Sequence, residues 1–199
     1  MKKLLCFVAW LVLSTVAAPA QTYNFDPSKS LIEIHLGAAG AFGFMGHDHL
    51  IQTRIERGSF LLSTNPGQSA VELLVNSKAL RVLDPELSAR DRRKIQTKME
   101  SDRILAVSRF PSITFKSTSV NLAANRQLLV FGNLTIRGQT RPIVLKATLE
   151  QTQAHLRVTG STQFKQTEFG IKPVSSGFGA VKVKDLMTIT FLVCGDRVR

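Results

Sequence analysis

Apolar and polar residues alternate through most of this chain after Ser30, and this pattern constrains the fold more than any other feature. In the segment 31–36, Leu31, Glu33 and His35 fall on one face, and Ile32, Ile34 and Leu36 fall on the other. Strict alternation is typical of a β-sheet with one dry and one wet face. About eight such segments, joined by short turns, predict an all-β fold of eight antiparallel strands. The pattern leaves open an up-and-down barrel or a sandwich, but only a closed barrel removes exposed strand edges.

The segment 85–105 departs from the alternation, because it is rich in helix-forming and charged residues. Ser88 is a suitable N-cap, and Asp91 follows three residues later, as in a capping box. An apolar stripe runs through Ile95, Met99, Ile104 and Leu105. We expect one helical insertion that packs over a barrel opening or along the side of the barrel.

The first twenty residues have the order of parts that defines a cleavable secretory signal. Lys2 and Lys3 precede an apolar run, 4–16, and Ala18-Pro19-Ala20 supplies the small residues of a cleavage site. The apolar run is shorter than the roughly 20 residues that span a bilayer, so a membrane anchor is the weaker interpretation. We predict a signal peptide over 1–20 and one domain over 21–199. The location would be the periplasm or the extracellular space, with Cys194 the one cysteine retained.

The chain is strongly basic, with a formal net charge of +12, or +10 once Lys2 and Lys3 are removed. Export argues against a nucleic-acid partner. The basic residues also lack the interleaved aromatics of single-strand binders. The remaining interpretations are attraction to an anionic membrane surface and a merely solvated surface.

The sharpest local motif is Gly46-His47-Asp48-His49, since His47 and His49 would point to the same side of a strand. Together with His35, they form a possible zinc, copper or haem site. Two histidines are a weak signal, and a structural role near a barrel mouth is the favoured interpretation. Metal is therefore not expected as a required cofactor.

Sequence motifs of common enzymes are missing, and composition suggests containment instead. The chain has no G-x-S-x-G elbow, no P-loop and no dinucleotide fingerprint. Of its twelve phenylalanines only Phe7 lies in the signal, whereas the predicted domain has Tyr23 as its single tyrosine and no tryptophan. Eight strands can enclose one slender ligand, and phenylalanine suits a greasy lining. The sequence alone leaves a filled and a hollow barrel equally open.

Four stretches of the chain resemble the YceI-like family of exported barrels. They are 23–30 (YNFDPSKS), 109–117 (RFPSITFKS), 131–142 (FGNLTIRGQTRP) and 164–171 (FKQTEFGI). The third is the most specific, because it is similar to the G-x-L-T-I-x-G-x-T-x-P hairpin of that family. Their order and spacing extend the resemblance over residues 22 to about 194, which is nearly the whole predicted domain.

This resemblance implies an eight-stranded, lipocalin-like barrel with a helical insertion and no enzymatic activity. It also implies an apolar tunnel for a polyisoprenoid or isoprenoid-quinone type of lipid, with no cofactor required. The lining residues expected within the motifs are Phe110, Ile113, Phe115, Phe169 and Ile171. The chain departs from the family pattern at His47 and His49, which keeps the metal hypothesis open.

Overall fold

The computed structural model describes residues 20–40, 48–65, 67–176 and 181–198. Twelve β-strands are found in these ranges: β1 (Gln21–Phe25), β2 (Leu31–Ala39), β3 (His49–Thr53), β4 (Arg57–Leu62), β5 (Ala70–Asn76), β6 (Arg81–Val82), β7 (Ser112–Leu122), β8 (Gln127–Ile136), β9 (Gln139–Gln151), β10 (His155–Lys165), β11 (Ser175–Ser176) and β12 (Val181–Arg197). The helices are α1 (Ala89–Glu100) and three 3₁₀ turns, Ser77–Ala79, Ala124–Arg126 and Gln166–Phe169. No helix in these ranges has the length and hydrophobicity needed to cross a membrane.

Eleven of the strands combine into a closed barrel of eight. β1 continues into β2, β3 into β4, and β5 into β6, so each of these pairs forms one barrel strand with a local break. Every barrel strand then pairs antiparallel with the next one in sequence. β12 closes the ring, because Gly195 pairs with Phe25 in β1 and Leu192 pairs with Leu31 in β2. The prediction of an eight-stranded antiparallel barrel is confirmed, and the sandwich is excluded.

The break between β1 and β2 is a tight turn built on Asp26. The carboxylate of Asp26 accepts hydrogen bonds from the backbone N–H and the hydroxyl of Ser28, and it pairs with Lys29 at 3.1 Å. Ser30, which is fully buried, donates from its hydroxyl to the carbonyl of Asp26. These contacts let one strand pair first with the end of β12 and then with its middle.

We expect Ser28→Ala to raise the pKa of Asp26 toward its ordinary value. The hydrogen bond from the Ser28 hydroxyl and the bond from Lys29 hold that pKa at about 2. Because the pKa is depressed in the folded state, this carboxylate stabilises the fold above about pH 4 and stops doing so as the pH falls through about 2. A carbon-detected NMR titration of Asp26 measures the shift. An unchanged pKa in the variant would contradict the assignment.

The helical insertion joins β6 to β7 and begins where the sequence predicts. The Ser88 hydroxyl accepts a hydrogen bond from the Asp91 backbone N–H, which caps α1. The helix is shorter than the segment 85–105, because the chain turns back after Glu100. The N–H of Leu105 then reaches the carbonyl of Met99, and Ala106 takes a positive φ of 48°.

The two ends of the barrel differ in construction. We call the end that carries α1, the hairpin 137–138 and the turn Gln166–Phe169 the helix end, and we call the opposite end the Tyr23 end. Tyr23 is 0 % exposed, and its hydroxyl lies 2.6 Å from Gln21 Oε1 and accepts from the Gln151 amide at 2.7 Å. Phe60 and Leu128, also fully buried, pack at the same end. The Tyr23 end is therefore filled with side chains.

Glycines on the inner wall receive aromatic rings from neighbouring strands. A Cβ added to Gly132 would lie 2.4 Å from the Phe115 ring, and one added to Gly160 would lie 2.6 Å from the Phe191 ring. Both rings thus rest on bare backbone. A ring that lies along the wall takes less of the barrel interior than one that stands away from it, which leaves space inside.

Candidate functional site

The barrel interior contains one continuous apolar cavity of about 330 Å³. Its volume falls in the range of pockets that hold small molecules. Among the described residues that border it, all but His49, Thr53, Lys98, Thr162 and Gln166 are apolar. Some aliphatic side chains at the middle of the inner face are only partly buried, although they point away from the outer surface. This group comprises Ile32, Ile34, Leu73, Ile113, Ile143, Leu145 and Ile189.

Helix α1 covers the helix end of this cavity. Ile95, Lys98 and Met99 border the cavity and lie three and four residues apart, so they share one helix face. Ile104 and Leu105, in the turns after the helix, border it as well. The structure therefore places the predicted apolar stripe over the barrel opening.

The five lining residues named from the sequence occupy two kinds of position. Ile113, Phe115 and Ile171 border the cavity. Phe169 is fully buried but does not border the cavity, and its ring meets the ring of Phe164 edge-on at 5.1 Å. Phe110 is half-buried outside the cavity, against Gly138 of the hairpin and beneath the guanidinium of Arg109. Sequence motifs alone do not separate residues that border the cavity from residues that do not, because buried aromatic residues occur at both kinds of position.

A hydrogen bond between His49 and the buried Asp84 lies at the rim of the cavity. Asp84, which is 2 % exposed, follows β6, and His49 begins β3. The Nδ1–H of His49 donates to Asp84 Oδ2 at 2.7 Å, and Oδ1 accepts from the Leu50 backbone N–H at 2.7 Å. This pair fixes the orientation of the imidazole ring at the boundary between the cavity and a polar surface cleft, since His49 borders both.

We expect Asp84→Ala to lower the free energy of unfolding by about 2–4 kcal/mol. The substitution leaves the N–H of Leu50 and the Nδ1–H of His49, both half-buried, without an acceptor, and donors that lose their partner away from water are costly. Urea denaturation followed by circular dichroism measures the loss. Glu86→Ala, two residues away at an exposed position, is the matched control and should change the free energy by less than about 0.5 kcal/mol.

The histidines of the metal hypothesis do not converge within the described residues. His49 of β3 pairs with Leu36 of β2 and borders the cavity. His35 is half-exposed on the outer face, where its Nε2 lies 3.9 Å from Glu33 Oε2. His47 lies outside the described residues. In the part of the chain that is described, no group of three histidine, cysteine or acidic side chains is arranged to hold a metal. Metal binding stays an untested prediction.

Sequence reasoning did not identify three polar residues at the helix end of the cavity. Lys98 and Gln166 border the cavity, and Asp84 orients His49. Lys98 follows Ile95 by three residues, so its position on the apolar face of the helix could have been predicted from the helical spacing. Asp84 and His49 are 35 residues apart, and no local pattern joins them.

A closed eight-stranded barrel around an apolar cavity, covered at one end by a helix and filled at the other, defines a lipocalin-like architecture. The model of the YceI-like domain matches residues 23–194. The chain belongs to the YceI-like family.

Curated and solved relatives agree with this assignment. A UPF0312 protein of Vibrio cholerae is 30 % identical over 149 residues, which is 74 % of each chain. Protein YceI of Salmonella arizonae is 31 % identical over 156 residues, covering 74 % of this chain and 72 % of that protein. The crystal structure of Burkholderia cenocepacia BcnA superposes with a TM-score of 0.64 at 17 % identity, over 85 % of this chain and 98 % of its own. The YceI protein of Campylobacter jejuni gives a TM-score of 0.55 at 14 % identity, over 73 % and 84 %.

Proposed function

We propose that this chain is an exported, non-enzymatic lipid-binding protein. It would hold the chain of a polyisoprenoid or isoprenoid-quinone type of lipid in the barrel cavity. The observation that carries the proposal is the layer of partly buried aliphatic side chains on the inner wall. In a filled core these side chains would contact one another, but here they border an apolar void of about 330 Å³.

The energetics support an apolar occupant. Each methylene that leaves water for the cavity contributes roughly 0.8 kcal/mol, and a branched isoprenoid chain supplies many such groups. The cavity wall offers few polar groups that would need compensation. Export of such a protein to the periplasm or beyond would let an insoluble lipid cross water. The basic surface is consistent with pickup at an anionic membrane.

Native mass spectrometry of freshly purified protein tests the proposal. We expect an adduct of isoprenoid mass, or uptake of ubiquinone by delipidated protein at a ratio of one per chain. Lysozyme, which lacks such a barrel, handled identically, controls for adherent lipid. A clean apo mass with no uptake of ubiquinone or of an octaprenyl chain would exclude this function.

A further inference from the structure

Helix α1 presents opposite faces to the cavity and to the solvent. Ile95 and Met99 border the cavity, whereas Arg90, Arg93 and Lys94 are exposed. Because an α-helix has about 3.6 residues per turn, these three basic residues lie on the side of α1 away from the cavity. We call Arg90, Arg93 and Lys94 the outer row. The helix that covers the cavity therefore carries cations on its solvent face.

Most of the charge in the outer row is not neutralised by the chain itself. Arg90 and Arg93 make no hydrogen bond or ion pair with any residue in the described ranges. The two carboxylates of the helix are already bonded, since Asp91 pairs with Lys94 at 2.8 Å and Glu100 accepts from a neighbouring glutamine amide. The two arginines are thus available to an anion from outside the chain.

The stability of the helix does not account for these cations. The N-terminus of a helix carries a partial positive charge, which disfavours basic side chains in the first turn. Arg90 is nevertheless the second residue of α1, and Arg92 and Arg93 follow closely. The segment 88–109 has seven basic and three acidic residues, so it supplies +4 of the +10 expected for 21–199. The positive charge is therefore concentrated on the helical insertion, where it favours an anionic partner.

An exposed leucine lies at the same end of the barrel. Leu186 of β12 is 47 % exposed and pairs with Lys165, next to the turn Gln166–Phe169. It borders the same surface cleft as Leu87, which is half-buried and directly precedes the N-cap Ser88 of α1. A lipid surface suits both kinds of side chain, because its anionic headgroups attract cations and its acyl region takes up apolar groups.

We propose that the helix end docks on an anionic lipid bilayer through the outer row of α1 and Leu186. The inference rests on the proposed function for the purpose of docking, and it adds the surface of the protein that makes the contact. A competing surface is the apolar patch of Leu129, Phe131 and Val144 on the outer wall of β8 and β9. Cations and an exposed leucine beside the cover of the cavity favour the helix end.

Vesicle sedimentation tests the part played by charge. The purified protein is mixed with vesicles of phosphatidylcholine, either pure or with about 30 % phosphatidylglycerol to supply anionic headgroups. We expect binding to the anionic vesicles only, and we expect added salt to weaken it because salt screens exposed charges.

Two double variants locate the docking surface. Each basic side chain at an anionic surface strengthens binding roughly fivefold, so Arg90→Gln combined with Arg93→Gln should weaken it by at least about tenfold. Lys146→Gln combined with Arg157→Gln is the matched control. It removes the same charge from exposed positions on β9 and β10, and binding should stay within about threefold of the wild type because distant charges are screened.

A single tryptophan reports which face meets the lipid. The segment 21–199 has no tryptophan, so Leu186→Trp and Leu129→Trp each carry one indole there. Both positions are on the outer surface, since Leu129 is 39 % exposed. We expect anionic vesicles to shift the emission of Leu186→Trp to the blue and brominated acyl chains to quench it. The emission of Leu129→Trp should not change.

The possible failures are separable. Absence of vesicle binding by the wild type, equal losses in the two double variants, or a blue shift confined to Leu129→Trp would each overturn the docking surface. Binding of polyglutamate without binding of vesicles would identify an acidic protein as the partner and exclude the membrane. Uptake of ubiquinone is measured without vesicles, so its loss beside intact vesicle binding would count against the proposed function alone.

Discussion

Replacement of Leu145 by tryptophan should abolish most lipid binding and leave the barrel folded. Leu145 lies at the middle of β9, borders the cavity and pairs with Val130 on the next strand. An indole at this point occupies space that several methylenes of a ligand need, and the loss of only two of them weakens binding about tenfold. The fold itself should be little affected, because the added volume enters a void and not a packed core. Titration with a fluorescent lipid measures the affinity, and thermal unfolding measures the fold.

Val144→Trp is the matched control for this experiment. Val144 precedes Leu145 on the same strand but points outward, where it is 39 % exposed. The same change in size at this position should leave lipid affinity within about twofold of the wild type. If Leu145→Trp binds as the wild type does, the ligand site lies elsewhere. If both variants lose binding equally, the effect is on the fold.

Replacement of Tyr23 by alanine should lower the free energy of unfolding by about 3–5 kcal/mol, the range of aromatic truncations in a core. Tyr23 is fully buried and joins β1, β4 and β12, since it pairs with Phe60 and with Arg197. Its loss leaves a hole at the end where the barrel closes. Urea denaturation in the absence of lipid measures the change.

Tyr23→Phe separates the ring from its hydroxyl. This variant keeps the packing and removes the hydrogen bonds with Gln21 and Gln151, so a loss of about 1 kcal/mol is expected. A loss below about 1 kcal/mol in Tyr23→Ala would show that this end of the barrel does not depend on the ring.

The strand pattern could be predicted from the sequence, because alternate residues of each strand face the barrel interior and the solvent, and they are apolar and polar accordingly. The segment 31–36 shows this, since Ile32, Ile34 and Leu36 face the cavity as their spacing implies. The breaks within three barrel strands could not be predicted in the same way. They depend on contacts such as the Asp26 turn, whose pairing with β12 involves residues far apart in sequence.

The hollow interior was the part that sequence could not decide. Phe115 and Phe191 are as compatible with a filled core as with a cavity wall. The difference is made by Gly132 and Gly160 on neighbouring strands, which let these rings lie close to the backbone. The same limit applies to the site. Phe110 and Ile113 share one sequence motif, but Phe110 lies outside the cavity and Ile113 borders it.

Because the Tyr23 end is filled with side chains, a lipid bound as proposed would enter and leave the cavity at the helix end. A tail that enters at the helix end must leave by the same route, so its innermost carbons are the last to be released. The depth of the cavity would then limit the length of tail that can be buried, because tail carbons beyond that depth would remain in contact with water or with α1. On the proposed function, such a carrier would sort its ligands by chain length, and its exchange rate with a membrane would depend on how far the lipid tail must withdraw.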